Sequence, residues 1–295
     1  MIGIKFVDMN NYVLYGYGES VASNMARVAL SEKKISYKYN LVYLESKGEH
    51  LKENYRKLNP KTLIPTLMID GKPLPDSIEI MKYIDNKFPN QGEKLFLHDD
   101  KKFDELIDYL KLDENKELGT TFGTTGGGIS IPVLAKLLCK RSILSVALDY
   151  LRYHGIKQRR AIFLIVRILG GPPPGVYKKM MASLAKHLLY IENYLDHKKD
   201  FIYGDFYTAA DCCLTALLHR VQEMKFFGIV DGNELPNIAK YWETISSRSS
   251  YKEGILDYQT GEWAPVLEGL YGNGPNDHND FLWDKIKTYK YKKEE

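Results

Sequence analysis

A change of period near residue 101 constrains this chain more than any other feature. Before it, strand-like runs alternate with helical faces. "YVLYGY" (Tyr12 to Tyr17) reads as a strand, and the next segment places Val21, Met25, Val28 and Ala29 on one helical face. "ISYKYNLVYL" (Ile35 to Leu44) has strand character. "TLIPTLMID" and "KPLP" flank Asp70-Gly71, a dipeptide that favours a hairpin turn, and "SIEIMKYIDNKF" is helical behind Asp76. The order is βαβ, a connection, ββ, then α. After residue 101 strand patterns are scarce, so a small α+β unit precedes an all-α region. Its helix candidates are Lys102 to Leu118, Pro132 to Arg152, Gln158 to Leu169, Val176 to His197, Thr208 to Phe227 and Ile238 to Ser247. "GTTGGGIS" and "GGPPPG" read as loops. The lysine-rich end, "WDKIKTYKYKKEE", reads as a solvated tail.

A length of 295 residues suits two modest domains, each with its own core. Lys and Arg number 41 against 38 Asp and Glu, and a net charge of +3 gives no electrostatic case for nucleic acid as partner. Cys139, Cys212 and Cys213 match no CxxC or zinc-ligand spacing, and the adjacent pair is not disposed to an ordinary disulfide. A reducing cytosol fits, and no metal is expected. The first twenty residues lack the apolar core of a signal peptide. The apolar stretch from Ile129 to Leu169 is interrupted by Lys136, Lys140, Arg141, Arg152, Lys157, Arg159, Arg160 and Arg167, so no transmembrane segment is expected.

Three small constellations carry chemistry. Ser20 stands where the first helix begins, the position of an N-cap. The helix dipole there also favours an anion, and a hydroxyl can donate to a thiolate. Lowering a thiol pKa of roughly 8.5 by about two units takes roughly 2.7 kcal/mol. A charge-assisted hydrogen bond of about 1.5 to 3 kcal/mol, with up to about 1 from the dipole, covers that. Pro65 interrupts an apolar strand, which fits an edge or bulge, or a cis Ile64-Pro65 bond that turns the Ile64 backbone toward a bound peptide. Asp76 with Glu79 makes a capping-box-like pair. Asp76 and Ser77 are equally a receptor for an amino acid head group, the carboxylate taking the ammonium and the helix N-terminus the carboxylate.

Taken together, Ser20, "IP" and "DS" in a βαβ-ββα order resemble the glutathione-binding domain of the glutathione transferase superfamily. "LYGYGESVASNMARVALSEKKISY" is similar to the zeta and theta classes. The resemblance implies a thioredoxin-like α+β domain over residues 10–90 and an all-helical domain over 101–255 with an insertion near 119–177. A C-terminal extension would occupy 256–295. It implies glutathione as co-substrate, with Ser20 or Ser23 facing its thiolate. Ile64 and Pro65 would meet the cysteinyl backbone, and Asp76 with Ser77 the γ-glutamyl end. Through "KGEHL" and "LNP", His50 becomes a candidate for the glycine carboxylate. "FIYGDFYTAADCCLTALLHRV" resembles the superfamily's capping-box segment, with Thr208 as N-cap, Asp211 as reciprocal partner, and Tyr207 and Cys212 as staple. "LPNIAKYWETISSRSSYKEGIL" is similar to a branch holding tetrachlorohydroquinone dehalogenase, bacterial β-aryl etherases and the ganglioside-induced differentiation-associated protein.

The sequence departs from that pattern in places. Leu63 stands two before Pro65, where a Lys or Gln often reaches glutathione, leaving Thr62 or Lys61 as substitutes. Val21 and Ala22 follow Ser20, so the cysteine of thiol-exchanging relatives is absent and a thiol oxidoreductase is disfavoured. The insertion is expected to reshape the pocket for an electrophilic second substrate, with Tyr15, Tyr17 and Phe122 as lining or core. The expected activity is a cytosolic, dimeric glutathione transferase of detoxifying type, directed at an apolar or aromatic electrophile and possessing ether cleavage as one variant. The alternative is a non-catalytic binding or scaffold protein on the same fold.

Overall fold

A computed structural model describes residues 12–195 and 199–291, and of Gln158 the backbone. Residue 10, where the first domain was expected to begin, His197 at the end of an expected helix, and the last four residues lie outside this range. The first unit comprises β1 (Tyr12–Gly16), α1 (Val21–Glu32), β2 (Lys38–Leu41), the short α2 (Glu53–Arg56), β3 (Thr66–Ile69), β4 (Lys72–Pro75) and α3 (Ser77–Lys87). Its strands form one mixed sheet in the order β2-β1-β3-β4, parallel between β1 and β2 and antiparallel elsewhere. Asp70 and Gly71 turn the β3–β4 hairpin with positive φ at both, as such a tight turn requires. On α1, Met25, Val28 and Ala29 are fully buried; burial stabilises a Met or Val side chain by about 1.5 to 3 kcal/mol.

The helical unit runs through α4 (Lys101–Leu110), α5 (Phe122–Gly128), α6 (Ile131–Cys139), α7 (Ile143–Tyr153), α8 (Lys157–Leu169), α9 (Pro174–Tyr194), α10 (Ala209–Glu223), α11 (Pro236–Ser246) and α12 (Ser249–Gly254). α13 (Trp263–Tyr271) and α14 (Asn279–Tyr291) complete the described residues. The α+β unit followed by an all-α unit is the architecture that the sequence order implies.

Four local expectations are corrected, the first being the helix expected from Lys102 to Leu118, which ends at Leu110. "GTTGGGIS" is mostly helix, because its glycines let α5 pack against backbone and side chains no Cβ would tolerate. A Cβ on Gly123 would lie 1.8 Å from the Lys111 carbonyl oxygen, and one on Gly128 would lie 2.5 Å from Met180 Cε. The single helix expected from Pro132 to Arg152 is two, α6 and α7, parted where Ser142 caps α7 by accepting the Ser145 N–H at 3.2 Å. The lysine-rich end is no free tail: α14 lies along α9 with Leu282 and Ile286 buried. Phe122–Cys139 is long and apolar enough by composition to cross a bilayer, yet 72% of it is buried inside the fold as α5 and α6.

The expected capping box forms. Asp211 accepts the Thr208 N–H and hydroxyl, both at 2.8 Å, the Ile202 N–H at 2.9 Å and the Tyr241 hydroxyl at 2.9 Å, all in the core. Tyr207 and Cys212 are buried beside it. All three cysteines are free thiols, Cys139 exposed and the other two buried.

Candidate functional site

Strand register brings the site together. Tyr15 pairs with Thr66 and Thr66 with Pro75, so the loop after β1, the residues before β3 and the residues after β4 leave the sheet at the same end. Ser20, Ile64-Pro65 and Asp76-Ser77 therefore converge, and α1 and α3 point their N-termini there with free N–H groups and partial positive charge.

Ser20 caps α1: its Oγ accepts the Ser23 N–H at 3.2 Å. Its own proton finds no partner among the described residues, and the residue is half-buried, so the hydroxyl remains able to donate. Ser23 is placed differently. It is fully buried beneath the end of β1, its Oγ accepting the Tyr17 N–H at 3.4 Å. A Cβ on Gly16 would sit 3.0 Å from that oxygen.

The Ile64-Pro65 peptide is cis. The Leu63 carbonyl accepts from the Tyr55 hydroxyl at 2.6 Å and from Asn59 Nδ2 at 2.8 Å, and Tyr55 also meets Thr66 Oγ1 at 3.0 Å. The Ile64 N–H and C=O have no partner among the described residues. Asp76 caps α3 through Oδ1, which accepts the Ile78 N–H at 2.8 Å and the Glu79 N–H at 3.2 Å. Glu79 does not close the capping-box pair suggested by its spacing; it bridges to Lys82 instead. Thr62 and Asp76 take positive φ, +59° and +79°, an uncommon conformation for a β-branched or an acidic side chain. A cleft of about 540 Å³ opens beside Asp76 between α3 and α4, lined in part by Lys61, Lys82, Asp104, Asp108 and Lys111. It meets the converging loops only at its Asp76 and Lys61 edge.

His50, the candidate for the glycine carboxylate, is buried and does not present its ring to the converging loops as an exposed side chain would. Its ring is buried against Tyr150 at 5.8 Å and His154 at 6.4 Å between ring centroids, and burial pushes its pKa down to about 3. The neutral ring offers a carboxylate no charge. The inserted helices cause that burial. Leu51 packs with Ala135, Leu138, Val146, Tyr150 and Val166 in a second small core. The α7–α8 turn lies on the loop before β3, where Gly155 donates its N–H to Thr62 Oγ1 at 3.0 Å and passes so close to Lys61 that a Cβ would lie 2.3 Å from its Cα. The side chain of Thr62 is thereby taken up by the insertion. Tyr17 and Phe122 are core, and Tyr15 is half-buried against Tyr55.

Sequence reasoning missed the clamp that positions the Ser20 loop. Arg27 is fully buried, donating to the carbonyls of Tyr17 and Gly18 at 3.2 and 2.7 Å and to that of Gly254 at 2.7 Å. Glu19 accepts from Thr260, Glu262 accepts the Tyr17 hydroxyl at 2.9 Å, and Arg220 donates to the Glu19 carbonyl beneath Trp263. The contacts from the C-terminal half reach across 201 to 245 positions, so no local pattern announces them. Among the described residues no group of three His, Cys, Asp or Glu is disposed to hold a metal.

A four-stranded thioredoxin-like unit with an anion-receptive edge, joined to an all-helical unit, defines the class. The N-terminal domain model of glutathione S-transferase matches residues 14–92 and its C-terminal domain model residues 162–249, and the chain belongs to that family. Maleylacetoacetate isomerase of Dictyostelium discoideum is 42% identical over 81 residues, 27% of this chain and 37% of the isomerase, so the match spans little more than a third of that relative. Protein LigF of Sphingobium sp. strain SYK-6 is 25% identical over 249 residues, 81% of this chain and 91% of LigF. The solved structure of β-etherase LigF from that organism superposes with a TM-score of 0.70 at 22% identity, covering 83% of this chain and 98% of that one, a likeness of fold.

Proposed function

We propose that this chain is a glutathione transferase in which Ser20 donates to the glutathione sulfur and holds it as thiolate. The unpaired Ile64 backbone groups take the cysteinyl backbone as an added strand. Asp76 offers Oδ2 to the γ-glutamyl ammonium, and the N-terminus of α3 with Ser77 takes its carboxylate. The thiolate attacks carbon in an apolar or aromatic electrophile; the S–C bond forms as the bond to the leaving group breaks with its electron pair. For an ether the leaving group is an alkoxide or phenolate. LigF, a β-etherase by name and similar along most of its length, favours that variant. A cytosolic homodimer acting in detoxification belongs to the same reading.

The convergence of Ser20, Ile64 and Asp76 at one sheet end carries the proposal. A glutathione-agarose binding assay and a thiolate absorbance titration test it. The wild type is expected to be retained with a bound thiol pKa below about 7. Ser20→Ala should be retained but raise that pKa and cut kcat/KM by about ten- to a hundredfold, the loss of one charge-assisted hydrogen bond. Absence of retention by the wild type would favour the second reading, a non-catalytic binding protein, for which apolar Leu63 at a position often polar is the supporting observation.

A further inference from the structure

The hairpin of α7 and α8 shows an apolar face that nothing among the described residues covers. Leu144, Leu148 and Leu151 recur at i, i+4 and i+7 on α7, with Leu144 69% and Leu148 57% exposed. Ile162, Ile165 and Ile168 recur on α8, and Ile168 is 59% exposed. The opposite faces are satisfied, since Val146, Tyr150 and Val166 fill the second core. The outward stripe is therefore a surplus of apolar surface and not a misplaced core. Charge accompanies it. Residues 131–169 contain eight Lys and Arg and one acid, Asp149, so this stretch alone exceeds the +3 net charge of the whole chain. Asp149 is already paired with Arg141. Lys136, Lys140, Arg152 and Lys157 are exposed; Arg152 and Lys157 stand at the turn, at one end of both stripes, and Lys140 stands just before α7 begins.

We propose that α7 and α8 dock in the plane of an anionic phospholipid membrane, with their aliphatic stripe in the acyl boundary and the flanking cations at the phosphates. An apolar face bordered by Lys and Arg is the pattern of helices that lie in a membrane interface. A protein partner would favour aromatic residues and few lysines, whereas this stripe is aliphatic and its rim holds three lysines. Neither helix is long enough to span, at 11 and 13 residues.

Flotation of the full chain with phosphatidylcholine vesicles, with and without phosphatidylserine, tests this. Binding is expected only with phosphatidylserine and should fall with salt. R152A/K157A should weaken it by about thirtyfold, at about 1 kcal/mol per cation. L144E/L148E should abolish it while leaving the thermal midpoint and glutathione-agarose retention unchanged, since both positions are exposed. No flotation with phosphatidylserine vesicles, or flotation unaffected by the glutamates, would overturn the proposal. So would size-exclusion chromatography showing a dimer that L144E/L148E dissolves, which would assign the face to a second copy of this chain.

Discussion

Asp211 shows how far one residue's role can be read from its neighbours. The Thr208-x-x-Asp211 spacing announces a capping box, and the carboxylate indeed closes the first turn of α10. The sequence does not announce the Ile202 N–H and the Tyr241 hydroxyl, which turn a helix cap into a junction between three segments. Asp211→Ala strands these buried donors, at about 1 to 3 kcal/mol each. A loss of about 3 to 5 kcal/mol in urea unfolding is expected, and a loss within about 1 kcal/mol would reduce Asp211 to a simple cap. Ser23 marks the limit of the same kind of reading. Ser20 and Ser23 are both hydroxyls at the start of one helix, and only the depth of α1 beneath β1 separates a free hydroxyl from one committed to Tyr17. Ser23→Ala should therefore cost about 1 kcal/mol of stability and leave the bound glutathione pKa near that of the wild type, which the titration would show.

At the scale of the element, α5 inverts the usual reading of glycine. Three consecutive glycines oppose a helix by about 1 kcal/mol each, which is why "GTTGGGIS" reads as a loop. Tertiary packing overrides that preference because the space around the segment is filled. The capping box of Thr121 and Thr124 fixes its start. Two glycines one turn apart in α5 should respond to alanine with opposite sign. Gly123→Ala places a Cβ 1.8 Å from a backbone oxygen and should destabilise by about 2 to 4 kcal/mol despite better helix propensity. Gly127→Ala meets only Leu112 Cδ2 at 3.7 Å and should stabilise by about 0.5 to 1 kcal/mol. Chemical denaturation of the two variants checks both signs; equal effects would mean that propensity alone governs α5.

Across the whole molecule, the insertion and the C-terminal segment bury ionisable groups that ordinary surface residues would leave in water. His50, His154 and His219 are pushed down to about 3, 4 and 3, in each case chiefly by burial. The folded state thus keeps these rings neutral while the unfolded chain protonates near 6.5. Their stabilisation is complete above that pH and is lost as pH falls from 6.5 toward 3 to 4, by up to about 1.4 kcal/mol per pH unit for each ring. Glu45 and Glu223 act oppositely: burial raises both to about 7, so their contribution is complete below 4.5 and is lost as pH rises to 7. Below about pH 4.5 the two glutamates drop out, and the histidines are joined by groups such as Asp108, whose hydrogen bonds to Lys111 and Lys116 hold its carboxyl below the usual range. His50→Phe keeps the contact with Tyr150 and should flatten the acid limb of unfolding free energy against pH by about one proton. An unchanged slope would show that His50 titrates as it does in water.

The order of elements, the Asp70-Gly71 hairpin and the caps at Ser20, Asp76 and Thr208 were legible in the sequence, as was the set of residue types that makes up the candidate site, because each depends on neighbours within a few positions. Period and capping chemistry are local, and they carry across any packing that keeps the element. Only the tertiary structure decided which serine is free, that His50 is covered, that α5 is a helix, and that the C-terminal segment grips the Ser20 loop. Those outcomes rest on atoms brought together from as much as 245 positions away, as Tyr17 and Glu262 are, and such distances leave no trace in a local pattern.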